Sequence, residues 1–445
     1  MKFEVDYQTL NDLEIFNIVK KENSVFRLFN FTQCLGGREK LYEFLSTPSS
    51  DINVINERKD SIAFFQKYVP EGLNVNKDSL DFAEFYLRNA HAPLRQPTVF
   101  APIGRILDKL NPNSDRFVID KGVISVVDLL DTVYSFSKKL NDQLEANPCP
   151  KYLKQNNEKV LELFSQPIYS EIIRHKKPNA FNTIRFDRMF RLTDKKIISF
   201  FLNMIYEYDA FFTIAKTSEK YGFSYPEIVP ETENCFEVEG LFHPFVKDAI
   251  ANDLKFEEIS NLLFVSGPNM AGKSTFLKAL GVATYLAHAG FPVPAKRMKV
   301  SALSGICTTI NIADNLSSGY SHFYAEVMRI KDVANKLTTN RNMLVIFDEL
   351  FRGTNVKDAY DGTLAIVSAF SHVKSSFFVI STHIVEVAKE LEINDKIQFC
   401  YFEVDKESGY PTYTYKLRDG VSDVRLGMYI INNEKLVEQI HAIMN

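Results

Sequence analysis

The chain has no tryptophan, only five cysteines, and 18 glycines in 445 residues. The cysteines, Cys34, Cys149, Cys235, Cys307 and Cys400, are odd in number, far apart and never spaced as Cys-x-x-Cys. That excludes a disulfide framework and a cysteine zinc site, and reads as reduced thiols in a reducing compartment. No uncharged apolar run approaches the roughly 18 residues of a spanning helix. The start, Met1-Lys2-Phe3-Glu4-Val5-Asp6, has no apolar signal core. A soluble, cytoplasmic protein is expected. Charge of one sign is lacking too: 52 Lys and Arg against 56 Asp and Glu give a net -4. A uniformly basic nucleic-acid binder is excluded, whereas a local basic face is not. What remains is ordinary globular material, 45% hydrophobic and 24% charged, which can bury real cores. At roughly 100–200 residues per domain, the length argues for two to four domains.

Glycine is unevenly spread, with 6 in residues 1–230 and 12 in residues 231–445. Helices tolerate few glycines, while alternating strands and helices need them at turns. In the first half, Val126, Leu129, Val133, Phe136 and Leu140 share one helical face, as do Ile198, Phe201, Ile205, Phe212 and Ala215. Residues 1–230 therefore read as mostly helical. In the second half, Asn261–Ser266, Met343–Phe347 and Phe377–Ser381 are short apolar runs suited to buried strands, separated by helical stretches. That alternation implies a mainly parallel sheet. Residues 412–417 alternate in polarity, as an antiparallel edge strand would. The expected architecture is an all-helical domain, 1–230, followed by an α/β domain, 231–445, with the boundary near Pro226–Glu233.

Residues Gly267-Pro268-Asn269-Met270-Ala271-Gly272-Lys273-Ser274 match G-x-x-x-x-G-K-[ST], with an apolar strand before and an amphipathic helix (Phe276, Leu280, Ala283, Ala287) after. A polyphosphate needs several inward backbone N–H groups, hence a tight loop with small residues at its turns. Lys273 supplies a mobile cation, the Ser274 hydroxyl can ligate Mg²⁺, and the helix that follows points its positive end at the anion. Asp348 ends the next apolar strand, where a carboxylate can help hold the same ion. Glu349 can orient or deprotonate an attacking water. His383 ends a third strand and faces the same crevice. ATP with Mg²⁺ is the expected ligand pair, and hydrolysis the expected chemistry.

Taken in order, GPNMAGKST (267–275), SSGYSHFYAEV (317–327), VIFDELFRGTN (345–355) and ISTH (380–383) resemble the ABC-type ATPase domain of the MutS family. Gly240-Leu241-Phe242-His243-Pro244 is similar to the segment that leads into the MutS nucleotide site. Leu28–Ser46 resembles the start of the MutS helical core, and 184–221 its returning lever helix. The resemblance implies that Gly267 to Thr275 hold the phosphates, and that Ser274 and Asp348 hold Mg²⁺. It further implies that Lys273, Glu349 and His383 serve hydrolysis and that Ser321 reaches the γ-phosphate bound to a second subunit. Ser321 precedes a helix with Phe323, Val327, Ile330, Ala334 and Leu337 on one face. A complete site then needs two chains, so a homodimer is expected at least with ATP bound. The match departs from mismatch-repair MutS in places. Ala271 stands where a glycine is common, the 355–360 segment (NVKDAY) is longer, and no Phe-x-Glu wedge occurs near the start. A divergent member is expected, without the N-terminal mismatch-recognition and connector domains.

Residues 171–196 hold Arg174, Lys176, Lys177, Arg185, Arg188, Arg191, Lys195 and Lys196 against Glu171, Asp187 and Asp194. Such a patch suits phosphate backbones and carries no base-reading code. It equally suits a solvated helix face. Two functions stay open: an ATP-gated DNA binder, or an ATP-gated protein or ribonucleoprotein interaction module. Leu254 is a candidate neighbour of the nucleotide base.

Overall fold

The computed structural model describes residues 3–16, 23–88, 114–174, 178–310, 322–351, 354–405, 412–422 and 435–443. Contacts divide the chain into two compact units. The first comprises Met1–Leu28, Thr47–Asn56 and Ser218–Asn445, and the second Phe29–Ser46 and Glu57–Thr217. A single cut near residue 230 does not reproduce this division. The reason is backbone pairing: Glu4 and Val5 run parallel to Gly305 and Ile306, so the N-terminus belongs to the sheet.

The first unit is mixed α/β. Its strands are β1 (Glu4–Val5), β2 (Glu227–Val229), β3 (Phe236–Leu241), β4 (Asn252–Lys255), β5 (Leu262–Ser266), β6 (Arg297–Ser301), β7 (Gly305–Thr309), β8 (Met343–Asp348), β9 (Phe377–Ser381), β10 (Ile397–Asp405) and β11 (Thr412–Asp419). Seven form a sheet in the order β1-β7-β8-β9-β5-β10-β11, and four a smaller one, β2-β6-β3-β4. In the large sheet all pairings are parallel except β10 with β11, the expected antiparallel edge. Strands β5, β8 and β9 are buried along their whole length. Continuous apolar runs follow from burial on both faces, which is why these three could be read from sequence. The registers align the strand ends: Asp348 pairs with Ser381, and Ser381 with Val265. The C-terminal ends of β5, β8 and β9 therefore lie along one sheet edge.

Helix Lys273–His288 follows β5 and is buried over most of its length. Helix His322–Thr339 buries Ile330 and Val333, with Phe323 and Leu337 packed beside them. The face differs slightly from the expected one. Val333 takes the buried position rather than Ala334, and Val327 is 37% exposed.

The second unit is helical among its described residues and includes Leu35–Ser46, Lys77–Arg88, Ser114–Ala146, Lys151–Ser165, Pro167–Arg174 and Ala180–Arg188. A π-helical turn, Met189–Thr193, leads into the long helix Lys195–Tyr221. Both expected apolar faces are buried, and phenylalanine supplies the interlock. The rings of Phe164 and Phe201 stack at 4.9 Å, and those of Phe44 and Phe211 at 5.5 Å. Among the described residues one helix, Lys195–Tyr221, is long and apolar enough to cross a membrane, and 61% of its apolar window is buried within the protein. All five cysteines are free. Burial pushes the thiols of Cys34, Cys307 and Cys400 up to about 12.

Candidate functional site

The loop between β5 and helix Lys273–His288 turns through two glycines whose backbones require positive φ, Gly267 at 141° and Gly272 at 104°. A side chain there would be strained, which explains the glycines at the two ends of the loop. Between them Pro268 is half-buried, Asn269 and Met270 are exposed, and Ala271 is buried. Met270 also has a positive φ of 67°. The Lys273 ammonium curls back along the loop and donates to the carbonyls of Gly267 at 2.7 Å and Pro268 at 3.0 Å. It lies 3.7 Å from Glu349 Oε1. Thr275 follows Ser274 on the first helical turn, exposed beside the loop.

Asp348 is where sheet and helix meet. Its Oδ2 accepts from the Ser274 hydroxyl and its Oδ1 from the Ser381 hydroxyl, each at 2.5 Å. Ser381 also receives the amide of Glu349 on its carbonyl at 3.1 Å, which fixes the turn after β8. Within that turn Glu349 (φ 58°) and Phe351 (φ 61°) adopt left-handed backbones. Non-glycine residues pay for such conformations with strain of about 1–3 kcal/mol, which is concentrated at functional turns. His383, half-exposed, has Nδ1 3.9 Å from Glu349 Oε2. Lys273, Ser274, Asp348, Glu349 and His383, distant in sequence, are thus gathered at one sheet edge.

A cavity of about 680 Å³ opens beside this cluster. Asn269, Met270, Gly272, Lys273, Ser274, Thr275 and Glu349 line one part of it, and Phe242, His243, Ile250, Phe402 and Tyr415 another. One part is polar and loop-bound, the other aromatic and apolar. The sequence motifs did not give the second part. Its signal was present only in the segment around Phe242 and His243. Asn252 builds the far wall, donating to the Tyr415 carbonyl at 3.0 Å and accepting from the Leu417 amide at 2.7 Å. Leu254 is buried, pairs with Val238, and is not among the residues lining the cavity. Burial, helped by nearby Lys278, lowers His243 to about 4, so its ring is neutral at pH 7.

Ser321, Lys176 and Lys177 lie outside the described residues. The remaining basic candidates separate into two kinds. Arg191 is 6% exposed at its side chain and grips Asp187, Nε to Oδ1 at 2.8 Å and Nη2 to Oδ2 at 2.9 Å. Tyr86 donates to the same carboxylate at 2.7 Å. Arg191 is therefore a core residue and not a surface contact, because a buried carboxylate needs its charge answered. Arg185 reaches both oxygens of Glu171 at 3.0 Å. Arg174 and Arg188 are exposed.

A family model for MutS domain V matches residues 263–443. Similar curated proteins include the DNA mismatch repair protein MutS of Petrotoga mobilis, 28% identical over 278 residues, 62% of this chain and 32% of that protein. Those of Anaplasma phagocytophilum, 30% identical over 227 residues, and Lysinibacillus sphaericus, 28% over 247, cover 50% and 54% of this chain. These alignments take in 27% and 28% of the two relatives. The chain thus spans about a third or less of the curated relatives it matches. Residues 263–443 are thus similar to MutS domain V, within a mixed α/β unit with a mostly parallel sheet.

Proposed function

We propose that this protein is a Mg²⁺-dependent ATPase of the MutS type. The observation that carries the reading is the Ser274–Asp348 hydrogen bond at a helix N-terminus, with Lys273 and Glu349 3.7 Å apart beside a cavity large enough for a nucleotide. In this reading the 267–275 loop amides and Lys273 bind the β- and γ-phosphates. The base lies toward Phe242, His243 and Tyr415. The donors fit a small hard cation, since a hydroxyl and a carboxylate oxygen are the ligand types Mg²⁺ takes, with water and phosphate filling its shell. When bound, the ion neutralises phosphate charge. Glu349 orients the attacking water and accepts its proton, while His383, with its nitrogen near Glu349, senses the γ-phosphate. Ser321 completes the site from a second copy, so ATP closes a homodimer. The helical unit acts as the core and lever that carries this closure to DNA, gripped by shape and backbone.

Turnover of the wild type against Glu349→Gln tests the chemistry. Equal rates would remove Glu349 from its role, and calorimetry showing no heat with Mg-ATP would end the reading. A second reading, an ATP-gated module that grips protein or ribonucleoprotein, draws support from the internal pairing of Arg185 and Arg191, which thins the basic patch. Filter binding at low salt separates the two.

A further inference from the structure

The N-terminal segment before Phe16 takes no part in the site just described, yet it grips three elements that border it. Along β7, Glu4 and Val5 pair with Gly305 and Ile306, and Thr9 Oγ1 accepts the Thr308 amide at 2.9 Å. Asp12, 3% exposed, accepts from Thr308 Oγ1 at 2.8 Å and from the Ile310 amide at 2.9 Å. Those residues end a strand parallel to β8, on the same sheet edge as Asp348. Toward helix His322–Thr339, Asp6 Oδ2 accepts from Arg329 at 2.7 Å and Lys336 at 2.5 Å. The two cations are seven residues apart and share one helical face. Arg329 also donates to the Thr308 carbonyl at 2.8 Å. Toward helix Lys273–His288, Glu14 pairs with Lys278 at 3.1 Å and the Phe3 ring lies 4.6 Å from His288. Leu13 packs so close to Gly281 that an added Cβ would sit 2.5 Å from it.

One segment therefore fastens the helix that begins at Lys273 to the helix His322–Thr339 and to the end of β7. Apolar packing alone would suffice to anchor a chain end. Here instead two carboxylates are spent inside the structure, each bonded to groups on the elements bordering the site. Burial acts to raise the Asp6 carboxyl, but the hydrogen bonds from Arg329 and Lys336 outweigh it and hold it well below the usual carboxylate range. The fastening is thus fully charged at neutral pH.

We propose that this segment is a strap that sets the relative position of the two helices during ATP turnover, with Asp6 as its positioning residue. The inference rests on the ATPase reading. Asp6 touches neither the cavity nor the 267–275 loop, so it acts on the rate of turnover rather than on nucleotide affinity. Its two oxygens do separate jobs, which makes it testable. Oδ1 caps helix Tyr7–Asp12 by accepting the Thr9 amide at 2.8 Å, and Oδ2 takes the two cations. Asparagine caps as well as aspartate. Asp6→Asn therefore keeps the cap and loses only the ionic hold.

In the full chain, Asp6→Asn should lower kcat about three- to thirtyfold while KM for ATP stays within about twofold. Lys336→Met, which leaves the segment itself untouched, should give a smaller loss of the same kind. Hydrogen exchange without nucleotide should quicken in helix His322–Thr339 and at Thr308–Ile310 but not in β5 or β9. Wild-type kcat in both variants, or a kcat loss matching only the unfolded fraction, would overturn the proposal. If the wild type neither binds nor hydrolyses ATP, the ATPase reading fails, and exchange alone decides the strap: unchanged protection in both variants refutes it.

Discussion

Two carboxylates, one in each unit, are equally well satisfied and differently used. Asp348 is bonded on both oxygens by serine hydroxyls, at the ends of parallel strands beside an open cavity. Asp187 is bonded on both oxygens by Arg191 and on one by Tyr86, and is fully buried among helices. Serine partners are neutral, and in the proposed reading Asp348 also serves a cation. The Arg191 partner cancels the Asp187 charge on the spot. Saturation of hydrogen bonds does not separate a site from a structural network. What differs is the partners and their setting: neutral hydroxyls next to a cavity-lining loop for Asp348, a guanidinium within a helical core for Asp187.

The sharpest break of this comparison is chemical. Glu349→Gln, beside Asp348, should lower ATP turnover by about a hundredfold or more with nucleotide binding retained. Asp187→Ala should leave turnover chemistry intact and instead destabilise the protein by about 3–5 kcal/mol, since it strands a buried guanidinium. Urea unfolding reads that loss, and a wild-type midpoint would show that Asp187 is not structural. Next comes acid sensitivity. His288 is fully buried, with Nδ1 on the Thr284 carbonyl and Nε2 accepting the Leu303 amide, and burial lowers it to about 4. Its unfolded value is near 6.5. As pH falls from 6.5 toward 4 the unfolded chain takes up the proton first, so stability is lost there, by about 3 kcal/mol from this group. Above 6.5 the contribution is fully present. His288→Gln should flatten, though not abolish, that slope, because His243 is lowered as well. The smallest effect concerns the exposed cations. Arg174→Ala with Arg188→Ala should weaken DNA binding modestly and reduce the salt slope by about 1–2. Unchanged affinity would favour the protein-partner reading.

The residues of the candidate site stood out in the sequence because they lie at or just past the ends of buried strands or of a glycine turn. Gly267, Asp348 and Ser381 close runs that are apolar on both faces, and such runs announce themselves. The rest depended on contacts between segments far apart in sequence. Nothing in Arg191 itself distinguishes it from Arg188; only the fold brings Tyr86 to Asp187 and closes a core around them. Tyr415 was readable as part of an alternating edge strand, but not as a cavity wall, because that depends on its pairing with Asn252. The division at residue 230 missed β1 for the same reason. A two-residue strand has no periodicity, and its partner lies three hundred residues away in sequence.

That short strand has a practical corollary. Without β1, the backbone of Gly305 and Ile306 would face solvent as an unpaired ladder, the kind of surface on which separate molecules add strands to one another. A fragment cut at the apparent boundary, 231–445, would carry every residue of the nucleotide motif and yet leave that ladder bare. Self-association of such a truncation would then report a missing hem, not a defective catalyst.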